Sequence, residues 1–299
     1  MMYPKISKMC NALEDKLIRY RRDFHKHAEV GWTEFRTASL VAKQLDELNY
    51  EVKVGKKVID KSSRMGVPPQ KELEKHYERA KKQGADPRYI EALKGGYTGV
   101  VGILKNGDGP TIAFRFDLDA VEINETESED HLPVKKGFSS LNENSMHACG
   151  HDGHTSIGLG LAEILMEIKD YLSGTIKLIF QPAEEGVRGA KSMMEAGVVD
   201  DVDYIIGLHL GGKAKKSGEI FPGKDDFLAT TKFDALFEGK ASHAGGKTEK
   251  GKNALLAASN AIMNLYSISR HSEGKTRINV GRIKAGSGRN VIPAQAQLK

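Results

Sequence analysis

Between residues 99 and 210, short apolar runs alternate with stretches of helical spacing, and that alternation leaves the chain few architectures. "GVVGIL" and "TIAFRF" read as strands, the second running into "DLDA". "GTIKLIF" is a third, ending in "QPAEEG", and "DYIIGLHL" is a fourth, ending in a histidine. Ile157, Leu161, Ile164, Leu165 and Ile168 recur on one helical face, and residues 188–196 suit a shorter helix stopped by Gly197. Strands alternating with helices predict an α/β fold, with an open, mostly parallel sheet and helices on both faces.

The flanks extend this pattern. Ile6, Met9, Leu13, Leu17, Tyr20 and Phe24 predict an amphipathic first helix. Thr33 can cap a second, with Phe35, Ala38, Val41, Leu45 and Leu48 inward and Asn49 as its stop. "YEVKV" alternates like a strand. Residues 61–96 are highly charged and poor in aliphatics. They predict a helix from Pro69 to Gln83 and a shorter one with Asp86 as cap, Pro87 in its first turn and Gly95 past its end. Such a segment is expected to lie over the surface as an insertion and to add little to a core. From about Phe227 the rhythm changes. "FLATTKFDALFEG" predicts a strand, "NALLAASNAIMNLYSI" a helix and "TRINVGRIKAGSG" further strand. The expected division is a larger domain at 1–225 and a smaller α+β domain at 226–299.

At 299 residues the chain is long enough for both. A net charge of +5 comes from basic residues interleaved with acidic ones, which argues against a nucleic-acid partner. No apolar run approaches the roughly 18 residues of a membrane span, and "MMYPKISKMCNALEDK" lacks the apolar core of a secretory leader. The two cysteines, Cys10 and Cys149, are far apart and predict a reducing, cytoplasmic setting.

In open α/β sheets, functional groups collect at the carboxyl ends of strands. Asp117 and Asp119, Glu184 and Glu185, and His209 all stand at such ends. "SMHACGHDGHT" places Cys149 and His151 in a loop just before a helix, at the same rim. Thiolate, imidazole and carboxylate form a ligand set for zinc or a similar ion. The surplus of acidic groups allows two ions about 3.5–4 Å apart, sharing a water. Of two adjacent glutamates, one can then bind metal while the other moves the water's proton. Taken singly, each piece has a plainer reading. Cys149 can be a small buried hydrophobe, His147 and His154 hydrogen bonders, the glutamates surface charge, and the aspartates acceptors for loop amides. A cysteine nucleophile activated by His151 or His154 is the rival chemistry, but it leaves "AEEG" and "GLHL" without a task.

"MHACGHDGHT", "FQPAEEG", "GLHL", "ASHAGG" and "GSGRNVIP", in this order, resemble the binuclear metallo-amidohydrolases of the aminoacylase and carboxypeptidase class. "RRDFHKHAEVGWTEFRTA" is similar to the signature of the branch that splits N-acyl amino acids, auxin conjugates and hippurate. "SSRMGVP", "GGYTGVV", "GVRGAKSMMEAGVVDDVD" and "AGSGRNVIPA" resemble its aminobenzoyl-glutamate-cleaving members. The resemblance implies hydrolysis of an amide between an acyl or aminobenzoyl group and an amino acid, glutamate foremost. It implies two divalent ions, Mn2+ or Zn2+, with Cys149 as the bridging ligand beside His151, Glu185 and His209. Glu184 would be the general base and Asp119 would orient a ligand, while Asp117 falls where related enzymes carry a metal-binding histidine. His243 would stabilise the oxyanion in a partner's site, through a lid and dimerisation domain. Asn290 would help bind the substrate carboxylate, as would Arg289 unless it is merely solvated. The implied partners are a small N-acyl amino acid and either a second copy or a related second subunit. The family's last metal-binding histidine lies in a stretch this chain does not reach. The chain is therefore expected to be a truncated member, with activity belonging to the parent. The competing expectation is a catalytically incompetent subunit or fragment that binds a partner or metal.

Overall fold

The computed structural model describes residues 2–211, 214, 216–223 and 228–299. Within it the chain divides into two compact units, Met1–Glu219 and Ile220–Lys299. The boundary expected at 225/226, and Phe227 with it, lies outside the described residues.

The first unit runs α1 (Met2–Lys26), α2 (Phe35–Glu47), β1 (Glu51–Val54), α3 (Gln70–Lys82), α4 (Ile90–Leu93), β2 (Val100–Asn106) and β3 (Thr111–Asp117). It continues with α5 (Leu132–Lys136), α6 (His151–Glu167), β4 (Gly174–Gln181), α7 (Ala190–Glu195) and β5 (Tyr204–Gly207). The five strands lie in the order β1-β2-β4-β3-β5. β1 and β4 flank β2 antiparallel, whereas β4, β3 and β5 run parallel. The sheet is mixed at one side and parallel where the chemistry stands.

Side chains alternate across the sheet, so Leu178 and Phe180 share one face with Phe116. α6 packs there through Gly158, where an added Cβ would come within 2.7 Å of the Phe180 ring. Its Gly160 faces Leu17 of α1. α6 is thus clamped between sheet and α1. Its buried residues include Gly158, Leu159, Gly160 and Ala162, while the expected Ile157, Leu161 and Ile164 are only half-buried. On the other face Lys177 is buried, donating to the Val198 carbonyl and pairing with Asp201 just past α7. At the sheet edge, Tyr204, Ile205 and Ile206 of β5 are more than half exposed.

The cap of α2 and the place of the 61–96 segment differ from expectation. Thr33 does not cap α2: its hydroxyl donates to the Val30 carbonyl, and Glu34 occupies the cap position. The first-turn amides of Arg36 and Thr37 are instead taken by the buried carboxylate of Glu29, at 3.2 and 2.8 Å. Nor does the 61–96 segment float over the surface. Leu73, Tyr77 and Ala80 of α3, with Ile90 and Leu93 of α4, are buried in the main core. A helix needs only one apolar stripe to join a core, and its remaining faces can be wholly charged. Arg79 of α3 also reaches Glu29 at 2.8 Å, tying the segment to the start of α2.

The second unit is a three-stranded antiparallel sheet, β6 (Ala235–Glu238), β10 (Gln295–Leu298) and β8 (Ile283–Ala285), crossed by α8 (Ala254–Tyr266). Beside it β7 (Ser242–His243) and β9 (Val291–Ile292) make a short ribbon. The strands are shorter than predicted: 228–234 and 276–282 are not strand. The core is small, with Ala254, Ala258, Ala296 and Leu298 at its centre. Among the described residues, no helix is long and apolar enough to cross a membrane.

Candidate metal centre

β3 and β4 end level, Asp117 opposite Gln181, so the segments that follow them leave the sheet side by side at its carboxyl rim. The Leu118 amide bonds the Gln181 carbonyl and prolongs that contact. Val121 pairs with Met146, bringing in the cysteine–histidine motif. Gly150, at φ +82°, takes the left-handed conformation that glycine tolerates and turns the chain into α6. His151 is therefore the first residue of the helix and not part of the loop, while Cys149 precedes the turn. His209 lies two residues beyond β5.

His151 is the hub. Its ring is fully buried, and Nδ1 lies 2.8 Å from the Asp119 main-chain oxygen and 3.5 Å from that residue's carboxylate. Nε2 has no hydrogen-bond partner; it faces Glu184 Oε2 at 3.8 Å, Asp117 Oδ2 at 4.0 Å and Glu185 Oε1 at 4.0 Å. Cys149 Sγ is 3.4 Å from His209 Nε2, and His209 Nδ1 is occupied by the Leu210 carbonyl at 2.7 Å. Cys149, His151 and His209 have donor atoms within 4.8 Å of one another, as do His151, Glu184 and Glu185, and as do Asp117, His151 and His154.

His154 has both ring nitrogens committed, Nδ1 to Asp117 at 3.1 Å and Nε2 to the Leu210 amide at 2.9 Å. It is a hydrogen bonder. His147 is also buried, but neither of its nitrogens has a partner, and burial lowers its pKa to about 4. Asp119 is indeed an acceptor for loop amides, and the loop is the one that matters. Its two oxygens take the Glu184 and Glu185 amides, each at 2.9 Å.

The charge balance of this rim fits a cation. Asp117, Asp119, Glu184 and Glu185 converge where Arg115, paired with Asp117, and His151 are the cationic groups facing them. Burial and the Asp117 charge hold Glu184 above the usual carboxylate range. Burial alone would lower His151, but its bond to Asp119 and the charges of Asp117 and Glu184 carry it to about 9. Burial, then Glu185, Glu184 and Asp117, push the Cys149 thiol up to about 12. A divalent ion reverses the last two tendencies, favouring thiolate and neutral imidazole. His151 Nε2 and Glu185 Oε1 are buried without partners, a condition costing about 1–3 kcal/mol per group unless something fills it. Sulfur, two imidazoles and a carboxylate are the donor set of zinc and related ions. The residues fit a metal.

Sequence reasoning missed three side chains here. Arg115 was legible, being two residues before Asp117 on the same strand face. Arg188 donates from Nε to the Glu185 carbonyl at 2.8 Å and from Nη1 to the Gly66 carbonyl at 3.3 Å. Glu34 is buried and bonds the Ala183 amide at 2.8 Å. Neither of the last two carries a local signal: Arg188 bonds main-chain oxygens, and Glu34 bonds a main-chain amide and a hydroxyl, each far from it along the chain.

In the second unit His243 pairs with Val291, and the Ala244 amide donates to the Asn290 carbonyl at 2.8 Å. "ASHAG" and "RNVIP" are thereby adjacent. His243 is exposed, with Nδ1 accepting the Gly245 amide at 3.1 Å, and Arg289 and Asn290 are exposed in the turn before β9.

Residues 113–283 match peptidase family M20/M25/M40. The chain is 53% identical over 295 residues to one of the p-aminobenzoyl-glutamate hydrolase subunits of Escherichia coli, covering 98% of this chain and 67% of that one. It is 52% identical to indole-3-acetyl-aspartic acid hydrolase of Enterobacter agglomerans, covering 99% and 68%. Its fold is similar to the crystal structure of an aminobenzoyl-glutamate utilization protein from Klebsiella pneumoniae, with a TM-score of 0.79, 48% identity and coverage of 98% and 67%. It is also similar to a Bacillus subtilis dinuclear metal binding peptidase from the M20 family, with a TM-score of 0.54, 30% identity and coverage of 96% and 63%.

Proposed function

The chain belongs to peptidase family M20/M25/M40, and on that premise we propose that it hydrolyses the amide bond of an N-acylated acidic amino acid, p-aminobenzoyl-glutamate foremost. The products are p-aminobenzoate and glutamate. The observation that carries this reading is Glu184, a carboxylate held above its ordinary pKa, 3.8 Å from a buried imidazole nitrogen that has no partner. A base with an elevated pKa beside a metal-type donor set is what amide hydrolysis requires.

Cys149, His151, Glu185 and His209 are the proposed ligands for two divalent cations, Mn2+ or Zn2+. Such ions, when bound, polarise the scissile carbonyl and make water easier to deprotonate. Glu184 accepts the proton of the attacking water and returns it to the departing amine nitrogen. Asp119 fixes the glutamate turn through its carboxylate and the His151 ring through its main-chain oxygen. His243 donates to the developing oxyanion from a partner molecule, and Asn290 and Arg289 bind the substrate carboxylate. Residues 1–225 are the proposed catalytic domain and 226–299 the proposed lid and dimerisation domain. A related second subunit is the favoured partner, because the name of the E. coli relative makes it one subunit of its hydrolase. The free thiols of Cys10 and Cys149 support a cytoplasmic setting.

A second substrate has its own support, since the Enterobacter relative is nearly as similar and is named for indole-3-acetyl-aspartic acid. The deciding experiment loads this chain, and a version extended to the length of its relatives, with Mn2+ or Zn2+, each alone and with a related second subunit. It then follows release of p-aminobenzoate and of indoleacetate from the two amides. Faster cleavage of the first supports the reading above. Faster cleavage of the second moves the substrate to an aspartate conjugate. Metal binding with neither cleavage leaves a binding subunit in place of an enzyme.

A further inference from the structure

The turn that bears Glu184 and Glu185 is held through three successive amides. Asp119 takes two of them. The third, Ala183 N, donates over 2.8 Å to Oε1 of Glu34, a residue 149 positions earlier. Ala183 has φ +49°, in the left-handed region, where a non-glycine residue costs about 1–3 kcal/mol and persists only if its surroundings over-determine it.

Glu34 is fully buried, and its other oxygen accepts the Thr98 hydroxyl at 2.6 Å. Although it sits at the cap position of α2, its side chain makes no capping bond; Glu29 does that work. Burial and the Asp119 charge push the pKa of Glu34 up to about 8, and a buried acid group aimed at a distant loop and not at its own helix needs a reason. The surrounding loop is docked on both halves of the site. Val30 bridges to Ala120, whose amide bonds the Glu29 carbonyl at 2.8 Å. Gly31 lies so close to Ala183 that a Cβ there would come within 3.1 Å of its Cα.

We propose that Glu34 is a positioning residue, which through the Ala183 amide fixes the turn on which the Glu184 and Glu185 carboxylates stand. The inference rests on the roles assigned to those two carboxylates, but its test does not need them. Amide exchange is measured by NMR in the metal-free chain. Glu34→Ala speeds exchange at Ala183, Glu184 and Glu185 about tenfold or more, with Ile176–Phe180 of β4 unchanged, since local and global opening are separable. Glu34→Gln stays within about threefold of the parent, because its carbonyl still accepts from Ala183 and the Thr98 hydroxyl can turn to accept from its amide. Titration with Mn2+ follows the same order, Glu34→Ala weakened about tenfold and Glu34→Gln nearly unchanged. Should Glu34→Ala fail to fold, Glu34→Asp, one methylene short of Ala183, takes its place with the same local acceleration expected. Unchanged exchange at 183–185, equal acceleration throughout β4, or a Gln variant as fast as the shortened one overturns the proposal. The expected exchange pattern in a protein that cleaves neither amide upholds Glu34 and removes the proposed function instead.

Discussion

His151 and His243 stand in opposite kinds of surroundings. The first is fully buried at the start of α6, where three segments distant in sequence meet: the exits of β3 and β4, and the motif around Cys149. Its Nδ1 is fixed by a main-chain oxygen and its Nε2 looks into three carboxylates. The second is exposed on a two-stranded ribbon, its Nδ1 bonded to its own turn. Burial removes water as a competitor, so the first ring is oriented and its proton affinity set by its own unit. An exposed ring has no such environment and can act only on something brought to it. A metal-type histidine such as His151 is built by the fold of its own unit, whereas an exposed one such as His243 gains a role only through what is brought to it.

The largest effect that can break this contrast lies at the buried rim. Glu184→Gln keeps size and removes the proton acceptor, so turnover falls about 10²–10⁴-fold while metal content by elemental analysis stays near the parent's. Turnover within about threefold of the parent would reject Glu184 as the base. Next comes the exposed histidine. His243→Ala lowers turnover roughly 10²-fold with little change in melting temperature. Mixing it with Glu184→Gln under subunit exchange regains part of the activity if the imidazole is delivered by a neighbour. An exchanging mixture that stays inactive shows that it does not act in a second copy of this chain.

Packing separates the two regions on a smaller scale. Gly158→Ala forces a methyl to within 2.7 Å of the Phe180 ring and costs about 1–3 kcal/mol in urea unfolding. Gly274→Ala, which meets nothing within 4 Å, stays within about 0.5 kcal/mol of the parent. Equal costs at the two positions would mean that α6 is less tightly clamped than its contacts indicate.

The smallest effect is at Asp23. Burial opposes its ionisation, but His27 and Arg36 outweigh it and lower the pKa from 3.8 to about 2. A depressed carboxylate stabilises the fold above pH 4 and loses that contribution as the pH falls through about 2. Its side chain is 41% exposed, so solvent screening limits the loss in Asp23→Asn to about 0.5 kcal/mol at neutral pH. Melting curves of parent and variant should converge between about pH 4 and pH 2. A gap that persists at pH 2 assigns the difference to packing.

Residue type and periodicity are local properties, and the features that depend on them alone are legible in the amino-acid order. The alternation of strands and helices, the first helix carrying Ile6 to Phe24, and the gathering of Glu185 and His209 past strand ends with Cys149 and His151 beside the start of a helix are all legible in that order. Tertiary structure decided the rest. The poverty of aliphatics in 61–96 reads as a surface layer, yet Leu73, Tyr77 and Ala80 suffice for one buried stripe. His154 could not be separated from a ligand until both its nitrogens were found committed. Glu34 bonds a main-chain amide 149 residues away. Every residue but proline has such an amide, so no residue type marks the partner, and only the folded chain can bring the pair within 2.8 Å.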